Sequence, residues 1–437
     1  MKDKRNAGAH WSRRDFLSRA ALASGAVVGG TALGGAGRFV TRATAAEPVT
    51  LNVLTLGQGI FGDPFVKLSP EFTKLTGIKV NNVTMGYNES MQKQAAVFAA
   101  QGTELDVVGV DYMFLKGYAK AGHLAALDPL VPKELADYYS DVPANLKDVW
   151  SLDGQTYGMA TVGNCQNFIY NNGHLADAGL QPPDTWDDVL SSAQKVVNAD
   201  KNRFGFVAGT ERLTKAVTVW LPMYWANGGE IFDDKMKPIF ASDTGVKSLE
   251  FLLELMKTMP PGGGAYTESD ELKAMSVGLA TLDPAAWIPD SIINADAATK
   301  PNLKTKIATM GSARRSPVLG GIGLCVSNYS PSREAAAQYV AWFNSRDVQI
   351  SQIVQAGGQP CRISAWAANA DAHPWFPSLA ENLQVAKSLP QIPVWGQVDA
   401  ALSTQLTQAF AGEITPKAAL EAAQAGVDEV MRDAGYY

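Results

Sequence analysis

The side chains able to do covalent or metal chemistry are few and badly spaced for it. The chain has three cysteines, Cys165, Cys325 and Cys361, and four histidines, His10, His123, His174 and His373. An odd number of cysteines at wide intervals does not read as a disulfide framework. No HExxH helix, GxSxG elbow or other nucleophile motif is present, so neither a zinc-dependent nor a serine-type mechanism has its residues. The paired tyrosines Tyr138-Tyr139 and Tyr436-Tyr437 are the only arrangement of iron-ligand type, one in an acidic stretch and the other at the chain end; both are read as surface residues, so no metal and no cofactor is expected. Two polar residues do sit where α/β proteins present groups to a ligand. Gln58 lies in the glycine-rich loop after the apolar run VTLNVLTL, and Asp111 ends the run LDVVGV. Asp111 has a second reading, as the cap of the helix that follows.

The elements that must position these groups alternate. VTLNVLTL (49–56) reads as a strand, Asp63-Pro64 as a helix entry, Phe65, Leu68, Phe72 and Leu75 as a helical stripe ended by Gly77, and IKVNNV as the next strand. LDVVGV repeats the pattern. After residue 160, NFIYN and FGFVAG read as strands and TWDDVLSSAQKVV as a helix entered through Thr185. Val246, Leu249, Leu253 and Met256 lie on one helical face, and Thr415-Pro416 open a last helix with Leu420, Ala423, Val427 and Val430 inward. Such alternation predicts parallel sheets covered by helices. The glycine-rich apolar runs YGMATVG (157–163) and VLGGIGLCV (318–326) predict strand crossings between two lobes.

Near its start the chain carries SRRDFL (12–17), in which Arg13 and Arg14 are adjacent, followed by an Ala- and Gly-rich stretch from Ala20 to Ala36 and the small-x-small pattern Ala43-Thr44-Ala45. That order predicts a twin-arginine export signal over residues 1–45, cut after Ala45. It is too short and glycine-rich for a spanning helix. No cysteine near the cut offers a lipid anchor, so a free periplasmic protein that meets the Tat translocase during export is expected. Residues 1–45 hold eight Lys or Arg and two acids, leaving 29 basic and 41 acidic residues, a formal charge of −12. A surface of that sign repels nucleic acid and anionic lipid. The remaining 392 residues exceed what one core usually organises.

Five stretches, in order, carry a resemblance to a known family: FTKLTGIKV (72–80), YAKAGHLAALDPL (118–130), NFIYNNGHLADAGLQPPDTWDDVLSSAQKV (167–196), WANGGEIFD (225–233) and PSREAAAQYVAWFNS (331–345). In these the chain resembles the bacterial extracellular solute-binding proteins of family 1, the branch that includes the maltodextrin-binding protein. The resemblance implies the periplasmic binding protein fold: α/β, two Rossmann-like lobes joined by hinge strands, with a ligand cleft between them. It divides the mature chain into an N-terminal lobe of 46–162 plus 322–372 and a C-terminal lobe of 163–321 plus 373–437, with crossings near 161–164, 318–323 and 370–378. It implies a monomeric receptor, not an enzyme, that captures a carbohydrate or polyol by hinge closure and hands it to the transmembrane subunits of an ABC permease.

A sugar needs flat aromatic platforms for its C–H faces and hydrogen-bonding groups for its rim. By resemblance Trp287, in LATLDPAAW, and Trp395, in IPVWGQV, occupy aromatic ligand positions, and Trp220 and Tyr224 line the second lobe's face. Asn164 lies in the first crossing, where the family often has a carboxylate, and Arg362 matches a frequent arginine that either bonds ligand hydroxyls or braces the third hinge. Each of the four aromatics has core packing as its alternative, and a structural salt bridge is the alternative for Arg362. The competing functions are a receptor for another small solute, either a phosphorylated polyol, for which only Arg362, Arg314 and Arg315 supply cations, or a metal, and an exported glycoside-active enzyme, which needs two opposed carboxyls about 5–10 Å apart.

Overall fold

The structure, a computed structural model, describes residues 49–437 except 58, 288, 289, 307–315, 372 and 374, and leaves out the side chains of 88, 290, 291, 352 and 353. The leader, Gln58, Arg314 and Arg315 therefore lie outside the described residues. Strands are numbered here as β1 Thr50–Leu56, β2 Lys79–Met85, β3 Val107–Asp111, β4 Gly158–Val162, β5 Asn167–Asn171, β6 Phe204–Phe206, β7 Ala280–Ala286, β8 Leu303–Lys306 and β9 Ile322–Val326.

The first sheet has the order β2-β1-β3-β9-β4. VTLNVLTL becomes β1, whose Val53 and Leu54 are fully buried because helices cover both faces. Helix Asp63–Thr76 begins one residue earlier than the sequence suggests. Gly62 occupies the cap position and Asp63 the first turn, with no side-chain capping bond. It ends as expected at Gly77, whose φ of 82° is left-handed and favours glycine. The second sheet has the order β8-β5-β7-β6. Helix Trp186–Val196 opens through a capping box in which Thr185 and Asp188 bond each other's backbone N–H. The last helix, Pro416–Asp433, buries Leu420, Ala423 and Val427 as its periodicity requires.

The sheets are mixed rather than parallel. Only β2-β1-β3 and β6-β7 run parallel, whereas β9 is antiparallel to both β3 and β4, and β5 is antiparallel to β7 and β8. The reversal follows from the crossings. Cys165 and Leu319 form an antiparallel bridge, and Gly320 N–H donates to the Asn164 carbonyl at 2.9 Å, so the chain that leaves the first sheet after β4 returns to it through β9 in the opposite sense. A strand that returns this way cannot continue a right-handed βαβ crossover. Val318 also pairs with Lys387. The segment at 387 therefore runs beside the two crossings. Packing at the crossings is tight: a Cβ on Gly163 would lie 2.5 Å from the Pro360 carbonyl oxygen. Among the described residues no helix is long and apolar enough to cross a membrane.

Candidate functional site

Most buried apolar residues form one continuous core. A smaller, separate cluster marks the junction of the lobes: Leu56, Ile60, Val162 and Ile322, flanked by Phe61, Tyr87 and Met91 from the first lobe and by Leu272 and Trp287 from elements of the second sheet. It lies at the carboxyl ends of β1 and β4 and just past the end of β7, the edge at which α/β proteins bind ligands.

Around this cluster several buried polar atoms lack a partner. Asp111, the last residue of β3, is the residue before helix Tyr112–Lys120, yet its side chain makes no capping bond. Tyr87 Oη donates to Asp111 Oδ2 at 2.9 Å, and Asp111 Oδ1 is buried without a partner. Burial drives this carboxyl up to about 6, against the hydrogen bond from Tyr87 and the nearby backbone N–H groups of Met113 and Tyr112. Asp399 approaches the same place from helix Trp395–Phe410, which packs on helices Thr214–Ala226 and Pro416–Asp433 and touches helix Tyr112–Lys120. Thr214 Oγ1 donates to Asp399 Oδ2 over a long 3.4 Å, Oδ1 has no partner, and burial, reinforced by the charge of Asp111, pushes Asp399 up to about 7.

Trp287 follows β7 and is partly exposed. One edge of its ring rests on the crossing, where a Cβ on Gly320 would lie 2.6 Å from it, and the Lys215 ammonium sits 5.4 Å from the ring centroid. Lys215 is held there by Glu268 at 2.8 Å. Asn164 shares the crossing with Trp287 and keeps a buried, unpartnered Oδ1. An aromatic face, a cation over it and several unsatisfied acceptors thus converge at the junction.

Behind this surface two more carboxyls are buried together. Glu271 Oε2 accepts from Gly209 N–H at 2.7 Å, Asp283 Oδ1 accepts from Ala285 N–H at 3.2 Å, and the two carboxyls hydrogen-bond to each other through a shared proton. Burial is the largest cause that raises both, and their mutual proximity adds to it for Asp283, while Lys215 pulls both down. Two such groups hold a proton into the neutral range. Carboxyls raised on folding leave stability whole in acid, below the free carboxyl value of about 4, and reduce it as pH rises through their folded values. The melting temperature is therefore expected to fall between about pH 5 and pH 8. Asp283→Asn, which keeps a donor for Glu271, raises the melting temperature by a few degrees at pH 8 and gains nothing at pH 5. An equal gain at both pH values in a melting series would show that ionisation of the pair is not the cause.

The residues singled out from sequence separate in the structure. Asp111, Asn164 and Trp287 stand at the junction. Trp395 is buried at 1% exposure with its indole N–H unpartnered, one helical turn before Asp399 on the same buried face. Trp220 and Tyr224 belong to the core: they stack on each other with centroids 4.6 Å apart, and Tyr224 Oη is bonded to the Glu230 carbonyl. Arg362 is likewise a brace and not a ligand group. Its guanidinium bonds the Asn344 carbonyl at 2.9 Å and Asp137 Oδ2 at 2.8 Å, reaches Asp141 at 3.5 Å, and covers the ring of Tyr138. Gln58 lies outside the described residues. Tyr87, Thr214, Lys215 and Asp399 were not apparent from sequence. The one signal for Asp399 was its i, i+4 spacing from Trp395.

All three cysteines are buried and unpaired, and burial raises each thiol well above its ordinary range, which suppresses the thiolate. Among the described residues no group of three or more His, Cys, Asp or Glu is placed to hold a metal ion. Tyr138, the buried member of its pair, donates to the Ala160 carbonyl, and Tyr437 donates to Asp428.

Two α/β lobes, each with its own sheet, and a junction lined by an aromatic platform and open acceptors define a periplasmic binding protein fold. The chain belongs to the family of bacterial extracellular solute-binding proteins, whose pattern it matches over residues 59–350. It is 29% identical over 385 residues to a probable amino-acid ABC transporter periplasmic-binding protein of Sinorhizobium fredii, covering 84% of this chain and 86% of that one. It is 28% identical over 306 residues to the arabinooligosaccharide-binding protein of Bacillus subtilis, covering 66% and 67%. Among solved structures, an ABC transporter solute-binding protein from Agrobacterium radiobacter in complex with ribitol superimposes with a TM-score of 0.80 at 22% identity, covering 88% of this chain and all of that one.

Proposed function

We propose that the protein is the periplasmic receptor of an ABC importer and that its solute is a sugar or sugar alcohol. The observation that carries this reading is the partly exposed ring of Trp287 at the lobe junction, beside the buried, unpartnered oxygens of Asp111, Asp399 and Asn164. A ring offers a sugar's C–H face a flat partner, and acceptors without partners suit a ligand rich in O–H donors. The ligands named for relatives, an arabinooligosaccharide and ribitol, support the same class. An amino acid, suggested by the name of the Sinorhizobium protein, needs a cation for its carboxylate; Lys215 at the junction is already paired with Glu268.

In operation the solute enters between the lobes, is held first on one of them, and is enclosed when the crossings at 161–164 and 318–323 flex. The lobes comprise 46–162 plus 322–372 and 163–321 plus 373–437. Closure sets the solute against Trp287, with the indole N–H of Trp395 available on the wall that carries Asp399. The closed form is what the permease subunits recognise, and nothing in the cycle consumes the ligand, so the protein is no enzyme. Residues 1–45 direct the folded chain through the twin-arginine route, are removed after Ala45, and leave a free monomer in the periplasm. Only a ligand that binds the native state raises its melting temperature. A thermal-shift screen of sugars, polyols, phosphorylated polyols, amino acids and metal ions should give stabilisation by neutral polyhydroxylated compounds alone. Stabilisation confined to the amino acids, phosphates or metals would overturn the ligand class.

A further inference from the structure

Trp287 owes its place to a crossing whose hydrogen bonds converge on one buried side chain. The ring meets Gly320 along Cζ3 and Cε3, where a Cβ would stand 2.6 and 3.1 Å away. Leu319 N–H donates to the Lys387 carbonyl at 2.9 Å, and Gly320 N–H to the Asn164 carbonyl at 2.9 Å. The carbonyls on either side of Gly320 both go to Tyr112. Its backbone N–H donates to the Gly321 carbonyl at 3.2 Å, and its Oη donates to the Leu319 carbonyl at 2.9 Å. The same Oη accepts from Leu389 N–H at 3.0 Å.

Two consecutive glycines have wide backbone freedom, so they keep a single path only where bonds from outside hold them. Beyond them the path is fixed by strand pairing, with Ile322 opposite Asp111. Before them the Tyr112 hydroxyl ties the crossing to helix Tyr112–Lys120 of the first lobe and to the segment at 389. Leu319, Leu389 and Tyr112 are each 1% exposed. Deleting this hydroxyl therefore leaves a buried carbonyl and a buried N–H without it, and the glycine segment moves more readily than the sheet to relieve them. Any such movement reaches the Trp287 ring, because Gly320 is in contact with it.

We propose that Tyr112 is a positioning residue for solute binding: it sets the Trp287 platform through Gly320 and does not touch the solute. Its effect on affinity rests on the receptor reading above, whereas its effect on the ring does not.

The test labels the mature protein with 6-fluorotryptophan, whose fluorine avoids Cζ3 and Cε3, and assigns the Trp287 signal by its loss in Trp287→Phe. In fluorine NMR spectra without ligand, Tyr112→Phe should shift or broaden that signal. Tyr339→Phe, which removes an equally buried hydroxyl lying 2.9 Å from Ser69 Oγ in the first lobe, should leave it in place. Gly320→Ala presses on the ring directly and should move the same signal, so the contact is tested even where a melting curve shows that Tyr112→Phe fails to fold. Titration with ribitol, D-mannitol, L-arabinose and maltose reads the consequence. Tyr112→Phe should weaken a probe that binds by roughly ten-fold, and in a Trp287→Ala background it should cost less than about two-fold more. A Trp287 signal unmoved by Tyr112→Phe or by Gly320→Ala would overturn the positioning role, as would equal losses of affinity with and without the Trp287 ring. Silence from every probe would count against the receptor reading alone, and the fluorine signal would still decide the role of Tyr112.

Discussion

Trp287→Ala is expected to weaken solute binding by about 2–3 kcal/mol, on the order of 30- to 150-fold in Kd, while the melting temperature moves by only a few degrees. The asymmetry follows from where the ring sits. It is partly exposed, touches the crossing at Gly320 along one edge, and packs at the margin of both the small junction cluster and the main core. Its removal therefore opens little space in the folded protein but takes away the flat surface that a sugar's C–H face covers. Trp287→Phe keeps a smaller platform and should recover part of the affinity. Calorimetric titration beside a melting curve separates the two roles: a loss of stability as large as the loss of binding would place the ring in the core.

The opposite pattern is expected of Arg362→Met. Removing the buried guanidinium costs about 3 kcal/mol, because the buried Asn344 carbonyl and the largely buried Asp141 lose a charged donor, whereas the more exposed Asp137 is left to solvent. In a chain of this length that is a fall in melting temperature of roughly 4 °C. The guanidinium ties Asp137 and Asp141, at the end of helix Pro132–Tyr139, to the start of helix Ile363–Asn369, where Asp141 also accepts from Ser364 N–H at 3.0 Å. Arg362→Lys retains the charge without the planar fork and should lie between. Solute affinity of whatever fraction stays folded should be unchanged within about two-fold. A variant that melts normally but no longer binds would return Arg362 to the ligand site.

These two residues also show what could be read from the chain before its fold was known. Trp287 was singled out by resemblance, and the structure places its partly exposed ring at the lobe junction, just past the end of β7. The Thr185 cap and the stripe of the last helix were legible because their signals are local. Arg362 was ambiguous because its acidic partners lie more than two hundred residues away in sequence. Asp399 was invisible for a related reason. An aspartate in WGQVDAALSTQL reads as the solvent face of an amphipathic helix, whereas Trp395, Val398, Asp399, Leu402 and Leu406 are all buried because this helix lies at the junction of the lobes. Trp220 and Tyr224 misled because aromatic composition alone does not distinguish a ring stacked on a neighbour from one offered to a ligand. The mixed direction of the sheets came from the crossings, and burial pattern carries no sense of direction.

The central claim is that the junction captures a polyhydroxylated solute and releases it unaltered. Titrating the mature protein with a panel of neutral sugars and polyols, and recovering the ligand afterwards, tests it most directly. One ligand per chain, saturable heat, a negative heat-capacity change from burial against Trp287 and an unmodified ligand are the expected result. Continuous heat with accumulating product, or no saturable binding by any member of the panel, would contradict it.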